Sequence, residues 1–287
     1  MHRHLRLVVW MALFVGSAAQ AQTFVWRIQG HSNTVYLAGA LHLLPERAYP
    51  LPTAYERAYA DSALLVVEAD QDALQSDQTR RAMLAAARYD EGDLAGHLDA
   101  DTYRRTEALL ERLGLSSQRM AAARPWFVSM AIEAKAFGDA GFRGDLGLDG
   151  NFYARAQADG KTILPLQPVA AHLAVVTDMP EALSRDQLSA TLDNADELAA
   201  APQELYDFWH HGDVAGFTAS VTDQADAYPA LYDRLIFDRT RAWLTPITAV
   251  LHSPDNAMVL VGAAHLVGPH GLIALLRERG YDIRRLD

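Results

Sequence analysis

The order of apolar and polar residues predicts strands near the start of the chain. Residues 23–30 alternate in polarity, and a polar turn separates them from the run "NTVYLAGALH" at 33–42. Alternation with a period of two is typical of half-buried strands, so the two runs predict a hairpin. Residues 63–67 are continuously apolar, which is typical of a strand buried on both faces. Residues 53–61 have the Thr-x-x-Glu form of a capping box and predict a helix between the second and third strands.

The end of the chain repeats this plan. "NAMVLVG" at 256–262 predicts a buried strand, and "YDIRRLD" at 281–287 predicts a closing strand. Between them a helix is predicted to begin at Pro269 and to stop at Gly280. The order strand, helix, strand thus occurs twice, at Thr34–Glu68 and at Asn256–Leu286. A crossover of this kind places its two strands parallel in one sheet, so the sequence predicts two βαβ units.

The middle of the chain, about residues 72–246, has mostly helical spacing of Ala, Leu, Arg and Glu. Asp149 is interpreted as the N-cap of one of its helices, and Thr162–Leu166 as a strand. Helices are predicted at 75–88, 101–113, 125–138, 149–160, 180–201, 203–211 and 233–244. We therefore predict one mixed α/β domain at 22–287. Its central mixed sheet comes from the two βαβ units, is flanked by helices, and receives a largely helical insertion at about 72–246.

Each βαβ unit carries the motif Gly-x-x-His where its first strand ends, at Gly39 to His42 and at Gly262 to His265. Glu68 follows the second strand of the first unit. Ligands of open α/β sheets bind at the shared carboxyl edge of parallel strands, so we expect both histidines and Glu68 to lie close together. The glycines lack a Cβ, which lets the backbone turn sharply or approach a ligand. Two histidines and a carboxylate suit a divalent metal, or a general base with an orienting partner.

A structural role is the alternative for each of these side chains. A loop histidine often only hydrogen-bonds a carbonyl, and a carboxylate at a strand end often caps a helix or pairs with an arginine. The recurrence of the motif in the same strand, loop and helix context favours function for His42 and His265. His210 and His211 point to different sides of a predicted helix end, and His270 opens a predicted helix, so we interpret these three as structural or solvated.

Composition narrows the chemistry further. The 287 residues include no cysteine, which excludes a thiol nucleophile, disulfides and thiolate metal ligands. The formal net charge is −11, and it becomes −13 when the two arginines of the first 21 residues are left out. Such an acidic surface argues against a nucleic-acid partner and against docking on anionic lipid. His-Glu-x-x-His, Gly-x-Ser-x-Gly, Walker and Gly-x-Gly-x-x-Gly motifs are also missing, which excludes standard zincins, α/β-hydrolases and nucleotide enzymes.

The first 21 residues have the three parts of a secretory signal peptide. Residues 2–6 include two histidines and two arginines, residues 7–15 are apolar, and residues 17–21 contain an Ala-x-Ala cleavage site. We predict cleavage after Ala21 and a periplasmic or secreted protein. No other apolar run is long enough to be a membrane-spanning helix.

Seven segments resemble the TraB/GumN family, which is related to the animal Tiki proteases. They are "YLAGALHLLP", "LLVVEAD", "RPW", "GLDGNFYARAQADGKTILPL", "FWHHGD", "DRTRAW" and "VLVGAAHLVGPHGLIALLRERGYDIRRL". Their order and spacing extend over nearly the whole chain after the predicted signal peptide. The resemblance implies a metal-dependent hydrolytic site centred on His42, Glu68 and His265. It also implies that Arg239, in "DRTRAW", holds a substrate carboxylate or stabilises an oxyanion.

Two positions depart from the pattern of this family. Gln167 stands where the family usually has glutamate, and Thr240 stands where it often has asparagine. Glutamine forms hydrogen bonds but is neither a base nor a charged ligand. If that glutamate belongs to the metal site elsewhere in the family, Gln167 weakens the expectation of the same chemistry here.

These expectations together predict an exported metal-dependent hydrolase, in particular a peptidase. His42, His265 and Glu68 would bind Mn²⁺, Co²⁺ or Zn²⁺, and the metal would activate water for attack on an amide carbonyl. Alternatively, Glu68 would be the general base and only the histidines would bind the metal. The partner would be a peptide or small-molecule substrate, and the oligomeric state is left open. Two other functions are alternatives. One is a periplasmic binding protein for peptide, metal or haem, which Gln167 favours, and the other is an accessory protein of envelope or polysaccharide assembly.

Overall fold

The structure, a computed structural model that describes residues 23–286, contains six strands in one mixed sheet. The predicted signal peptide at 1–21 lies outside the described residues. The strands are β1 (Val25–Gln29), β2 (Thr34–Ala40), β3 (Leu64–Val67), β4 (Thr162–Pro165), β5 (Ala257–Gly262) and β6 (Ile283–Arg285). The sheet order is β4-β3-β5-β2-β1-β6, in which β2, β3, β4 and β5 run parallel and β1 is antiparallel to β2 and β6.

The two βαβ units are interleaved in this sheet. β5 lies between β2 and β3, and Val259 is in register with Leu37 on one side and with Val66 on the other. β6 runs parallel to β5, because both are opposite in direction to β1. Every residue of β2, β3 and β5 is buried, as their apolar runs predict. The carboxyl ends of these three central strands therefore lie side by side.

Helices flank the sheet, so the predicted mixed α/β fold is confirmed. The sequence pattern missed the helices Val169–Thr177 and Val214–Ala227, and a π-helical segment at 233–237 connects the helices on either side of it. The helices are α1 (Thr53–Asp61), α2 (Gln71–Gln75), α3 (Asp77–Ala86), α4 (Leu94–His97), α5 (Ala100–Arg112), α6 (Ser117–Met120), α7 (Pro125–Asp139), α8 (Leu148–Ala158), α9 (Val169–Thr177), α10 (Glu181–Asp193), α11 (Ala201–His210), α12 (Val214–Ala227), α13 (Pro229–Tyr232), α14 (Asp238–Leu251) and α15 (Leu272–Glu278).

Several predictions about helix ends are wrong. Thr53 is the first residue of α1 and Pro52 precedes it, so no side chain caps this helix. The last helix begins at Leu272, not at Pro269, because a tight turn occupies the residues between them. Helix α14 continues through Pro246. Its buried face packs into the core of the sheet, and this tertiary packing outweighs the local cost of an internal proline.

The main hydrophobic core lies on the sheet. A second buried cluster lies among the helices that come between β3 and β5 in the chain. The second cluster includes Leu110 of α5, Ile132 of α7 and Leu188 of α10, all with at most 1% of their surface exposed. The helical middle of the chain thus has apolar packing of its own. Within residues 23–286, no helix is both long and apolar enough to cross a membrane.

Candidate active site

The ends of β2, β3 and β5 bring His42, Glu68 and His265 around Gly262. A methyl group placed on the Cα of Gly262 would lie 3.3 Å from Glu68 Oε1, 3.4 Å from His42 Nε2 and 3.5 Å from His265 Cδ2. The Gly262 N–H also donates a hydrogen bond of 2.8 Å to Glu68 Oε1. The backbone of Gly262 has an ordinary φ of −50°. A Cβ at this position would fit tightly against Glu68 and would contact both rings, so glycine leaves room between the three side chains and does not serve a turn.

Gly39, the equivalent glycine of the first motif, has a packing role below the site. A Cβ here would lie 3.2 Å from the Cβ atoms of Phe24 and Ala263. The Gly39 carbonyl accepts hydrogen bonds from the Tyr55 hydroxyl at 2.6 Å and from the Trp209 indole N–H at 3.0 Å. These buried contacts fix the end of β2 and hence the start of the loop that carries His42.

His42 is oriented by Asp149, which sequence reasoning had interpreted as an N-cap. That interpretation is wrong, because α8 begins at Leu148 after Gly147 and no side chain caps it. Asp149 Oδ2 instead lies 2.7 Å from His42 Nδ1, so the carboxylate accepts the Nδ1 proton. A Cβ on Gly147 would lie 2.1 Å from the His42 carbonyl oxygen. Only glycine at 147 lets the start of α8 come this close.

The charge of Asp149 raises the pKa of His42 to about 9. We expect Asp149→Asn to return this pKa towards the ordinary value of 6.5. A histidine with a raised pKa in the folded state contributes stability that is complete below pH 6.5 and is lost as the pH rises through 9. Water reaches the ring, which is 59% exposed, and weakens the effect.

An NMR titration of the His42 ring protons measures this shift, with urea unfolding at pH 6 and pH 9.5 as the stability readout. Asp145→Asn is the matched control, because Asp145 is exposed and pairs with Arg143 instead. An unchanged His42 titration in Asp149→Asn would show that Asp149 does not hold the His42 proton.

His265 is buried, with 3% of its surface exposed, and Thr240 fixes its tautomer. The Thr240 hydroxyl donates its one proton to the Ile236 carbonyl at 2.8 Å. It must therefore accept the hydrogen bond of 2.8 Å from His265 Nδ1. Burial lowers the pKa of His265 to about 3, so the ring stays neutral and Nε2 carries a lone pair. Thr240, one of the two departures from the family pattern, thus has a defined orienting role.

Arg239 forms a buried ion pair with Glu68 and closes the site on one side. Its Nη2 donates to Glu68 Oε2, its Nη1 lies 3.3 Å from His265 Nε2, and its guanidinium stacks on Trp243 at 4.7 Å. Burial opposes ionisation of Glu68, but the positive charges of His42 and Arg239 and the hydrogen bond from the Gly262 N–H hold its pKa below its usual range. Glu68 is therefore a carboxylate. The π-helical segment just before Arg239 is of a kind found at functional sites.

His172 on α9 is a site residue that the sequence did not reveal. Gln167 lies between His172 and Trp243: its Nε2 is 2.9 Å from His172 Nδ1, and its Oε1 accepts from Trp243 Nε1 at 3.0 Å. Arg239 Nη2 lies 3.4 Å from the same His172 nitrogen. Burial lowers the pKa of His172. The nearly uniform apolar composition of α9 carries no periodic signal that would have indicated this contact.

A family model described as the TraB/PrgY/gumN family matches residues 24–285 of the chain. The chain belongs to this family. The match contains both Gly-x-x-His motifs, Glu68 and Arg239, and it confirms the resemblance seen in the seven sequence segments. Comparisons with curated proteins and with solved structures found no match.

The donor set of this TraB/PrgY/gumN site fits a divalent metal in part. Both histidines have Nδ1 bound to an oxygen acceptor, which is how proteins orient metal-binding imidazoles. Each carboxylate oxygen of Glu68 can accept two hydrogen bonds. The Gly262 N–H takes one position on Oε1, and Arg239 Nη2 takes one position on Oε2. However, Arg239 Nη1 faces His265 Nε2, and no three His, Asp or Glu side chains within residues 23–286 are arranged to hold a metal. A cation bound by His265 would have to displace this Nη1 contact.

A cleft of about 480 Å³ adjoins the site and is lined mainly by α7, α10, α11 and α12. Ala264, inside the second Gly-x-x-His motif, lines it, and so does Ile236, whose carbonyl holds Thr240. Most of its lining is apolar, with Glu133 and Gln187 among the polar residues. The volume lies within the range of about 300 to 1,000 Å³ that is usual for ligand sites.

Proposed function

We propose that this TraB/PrgY/gumN protein is a metal-dependent hydrolase that cleaves peptides. The observation that carries the proposal is that two histidine rings, each oriented by a hydrogen bond at Nδ1, approach the same point. Asp149 holds Nδ1 of His42, Thr240 holds Nδ1 of His265, and both rings approach the Cβ position of Gly262. Such outer contacts are the usual support of metal-binding histidines.

Each side chain has a distinct role in this proposal. His42 and His265 would hold the cation through Nε2, with Glu68 supplying an oxygen. When bound, the cation would polarise a carbonyl and provide activated water. Glu68 is held ionised, so it can instead accept a proton from the attacking water. Arg239, whose Nε is buried without a hydrogen-bond partner, would donate to the oxygen on which negative charge develops.

The adjoining cleft supports a peptide as the substrate. It is mostly apolar, and it reaches Ala264 beside His265. A peptide side chain next to the cleaved bond would fill part of it. The acidic residues of the cleft, among them Glu197 and Glu204, favour peptides without negative charge at this position.

A peptide-library cleavage assay tests this function. Protein stripped with EDTA should cleave no peptide, and activity should return when Mn²⁺, Co²⁺ or Zn²⁺ is added back. His42→Gln is the matched variant, because it keeps a polar side chain of similar size but removes the ring nitrogen. Cleavage that survives metal removal, or no cleavage with any of these ions, would overturn the proposal.

A binding protein without catalysis is the second candidate, and one observation favours it. Arg239 contacts both Glu68 and His265 Nε2, so a guanidinium faces the ring nitrogen that would bind the cation. In that case the same assay would yield a peptide that binds, measured by fluorescence anisotropy, but is never cut. Binding without cleavage in the presence of every tested ion would select this candidate.

We also propose that the protein is exported, on the basis of the charged, apolar and small-residue segments before Gln22. The N-terminal sequence of the full-length protein after expression in a Gram-negative bacterium is expected to begin at Gln22, in the periplasmic fraction. An intact N-terminus in the cytoplasmic fraction would contradict export.

A further inference from the structure

The contacts of Gln167 determine which of its amide atoms is the oxygen. Trp243 Nε1 lies 3.0 Å from Gln167 Oε1. An indole N–H can only donate, so the atom that it faces has to be the amide oxygen. The amide nitrogen of Gln167 therefore points the other way, towards His172 Nδ1 at 2.9 Å. A flipped amide would place two donors against each other at Trp243.

The amide nitrogen in turn fixes the proton of His172. It carries two hydrogens and no lone pair for a hydrogen bond, so His172 Nδ1 has to accept. Arg239 Nη2, another group that only donates, lies 3.4 Å from the same Nδ1. A proton on Nδ1 would face both donors. A neutral imidazole has one proton, which must then be on Nε2.

We propose that Gln167 makes His172 a hydrogen-bond donor, through Nε2–H, to an oxygen atom of the ligand. This N–H has no partner among the residues that the structure describes. It belongs to a half-buried ring beside Arg239, whose Nε is likewise an unused donor. The ligand group that satisfies such donors is a carbonyl or carboxylate oxygen. The role towards a peptide carbonyl rests on the proposed function, whereas the tautomer of His172 does not.

The glutamate that is usual in the family at position 167 would reverse this polarity. A carboxylate accepts only, so it would take a hydrogen bond from Nδ1–H of His172 and leave a lone pair on Nε2. His172 would then be a base or a ligand. Gln167 therefore changes what His172 can do, and Gln167 is a positioning residue that acts through His172.

NMR of protein with ¹⁵N-labelled histidine tests the tautomer directly, with His172→Gln to assign the signal. The wild type is expected to have the proton on Nε2 and none on Nδ1. Gln167→Glu is expected to place a proton on Nδ1. Gln78→Glu, the same change at an exposed position of α3, should leave the signal as in the wild type. A wild-type proton on Nδ1, or an unchanged tautomer in Gln167→Glu, overturns the proposal.

N-acetylglycine, which has both a peptide carbonyl and a carboxylate, is the probe for the ligand contact. In EDTA, its addition should shift the His172 Nε2–H signal of the wild type, and Gln167→Glu should weaken its binding about tenfold or more. Equal binding by both proteins, or no shift at His172, overturns the donor role. Because the test needs neither metal nor cleavage, a failure of the hydrolase assay would leave this result standing.

Discussion

Arg239→Met is expected to destabilise the protein by about 3 to 5 kcal/mol, because it leaves the Glu68 carboxylate unpaired in the interior. The Glu68 side chain is 4% exposed and that of Arg239 is 15% exposed, so water cannot replace the lost partner. Among residues 23–286, the Gly262 N–H would be the one hydrogen-bond donor left on this carboxylate. Methionine retains the length and apolar contact of the arginine stem on Trp243. The free energy of unfolding in urea measures the loss.

A double variant separates this charge effect from lost packing. Glu68→Gln combined with Arg239→Met removes both charges and is expected to recover most of the stability that the single Arg239→Met variant loses. The control is the ion pair of Asp77 and Arg80, whose side chains are about two-thirds exposed. Removing this pair should lower the free energy of unfolding by less than about 1 kcal/mol. If Arg239→Met is as stable as the wild type, the ion pair has no structural role.

His265→Ala is expected to reduce metal-dependent peptide cleavage and metal affinity by about 100-fold or more. Loss of an outer contact to a ligand already costs about 10- to 100-fold, and loss of the ligand itself should cost at least as much. The measurement is kcat/KM with added Mn²⁺, Co²⁺ or Zn²⁺. His252→Ala is the matched control, since His252 is exposed and, within residues 23–286, its side chain hydrogen-bonds only the Thr248 carbonyl of α14. Equal activity of wild type and His265→Ala would refute the site assignment.

Thr240→Val provides a milder version of this test that keeps the ring. Valine has the shape of threonine without the hydroxyl, so Nδ1 of His265 loses its acceptor while the packing is preserved. Metal affinity is expected to fall by about 10-fold or more. A folded Thr240→Val protein with wild-type affinity would show that the orientation of His265 does not depend on this hydroxyl.

The sequence could predict the centre of the site because its placement follows from strand direction. Continuous apolar runs identified β2, β3 and β5, and parallel strands share one edge, so His42, Glu68 and His265 were expected at that edge. No exact boundary was required for this inference. The parallel sheet alone places the three residues that follow these strands close together.

The residues that were missed depend on contacts between distant parts of the chain. Asp149 lies 107 positions after His42, and its place near a helix start made a local capping role the simpler interpretation. His172 lies in an apolar helix, and Arg239, which approaches its Nδ1, comes 67 positions later. A pattern within one helix contains no information about such pairs. Only the packing of α8, α9 and α14 around the sheet edge brings the residues of these pairs together.

The sequence identified Gln167 as a departure from the family pattern, but it could not predict which residues Gln167 contacts. Its chemistry alone excluded a base and a charged ligand. Its actual partners, Trp243 on one side and His172 on the other, show that it supports a neighbouring imidazole. The departure from the family pattern therefore changes which ring nitrogen of His172 carries the proton. The two Gly-x-x-His histidines keep their own hydrogen-bond partners, Asp149 for His42 and Thr240 for His265.

Binding of Co²⁺ to the EDTA-stripped wild type at pH 8, followed by calorimetry, tests the central claim that His42 and His265 hold one cation through Nε2. The account predicts one ion per chain and release of close to one proton, because Asp149 keeps His42 protonated up to a pKa of about 9. It predicts no binding to the His42→Ala, His265→Ala double variant. Absence of a bound ion in the wild type, or equal binding by the double variant, would contradict it.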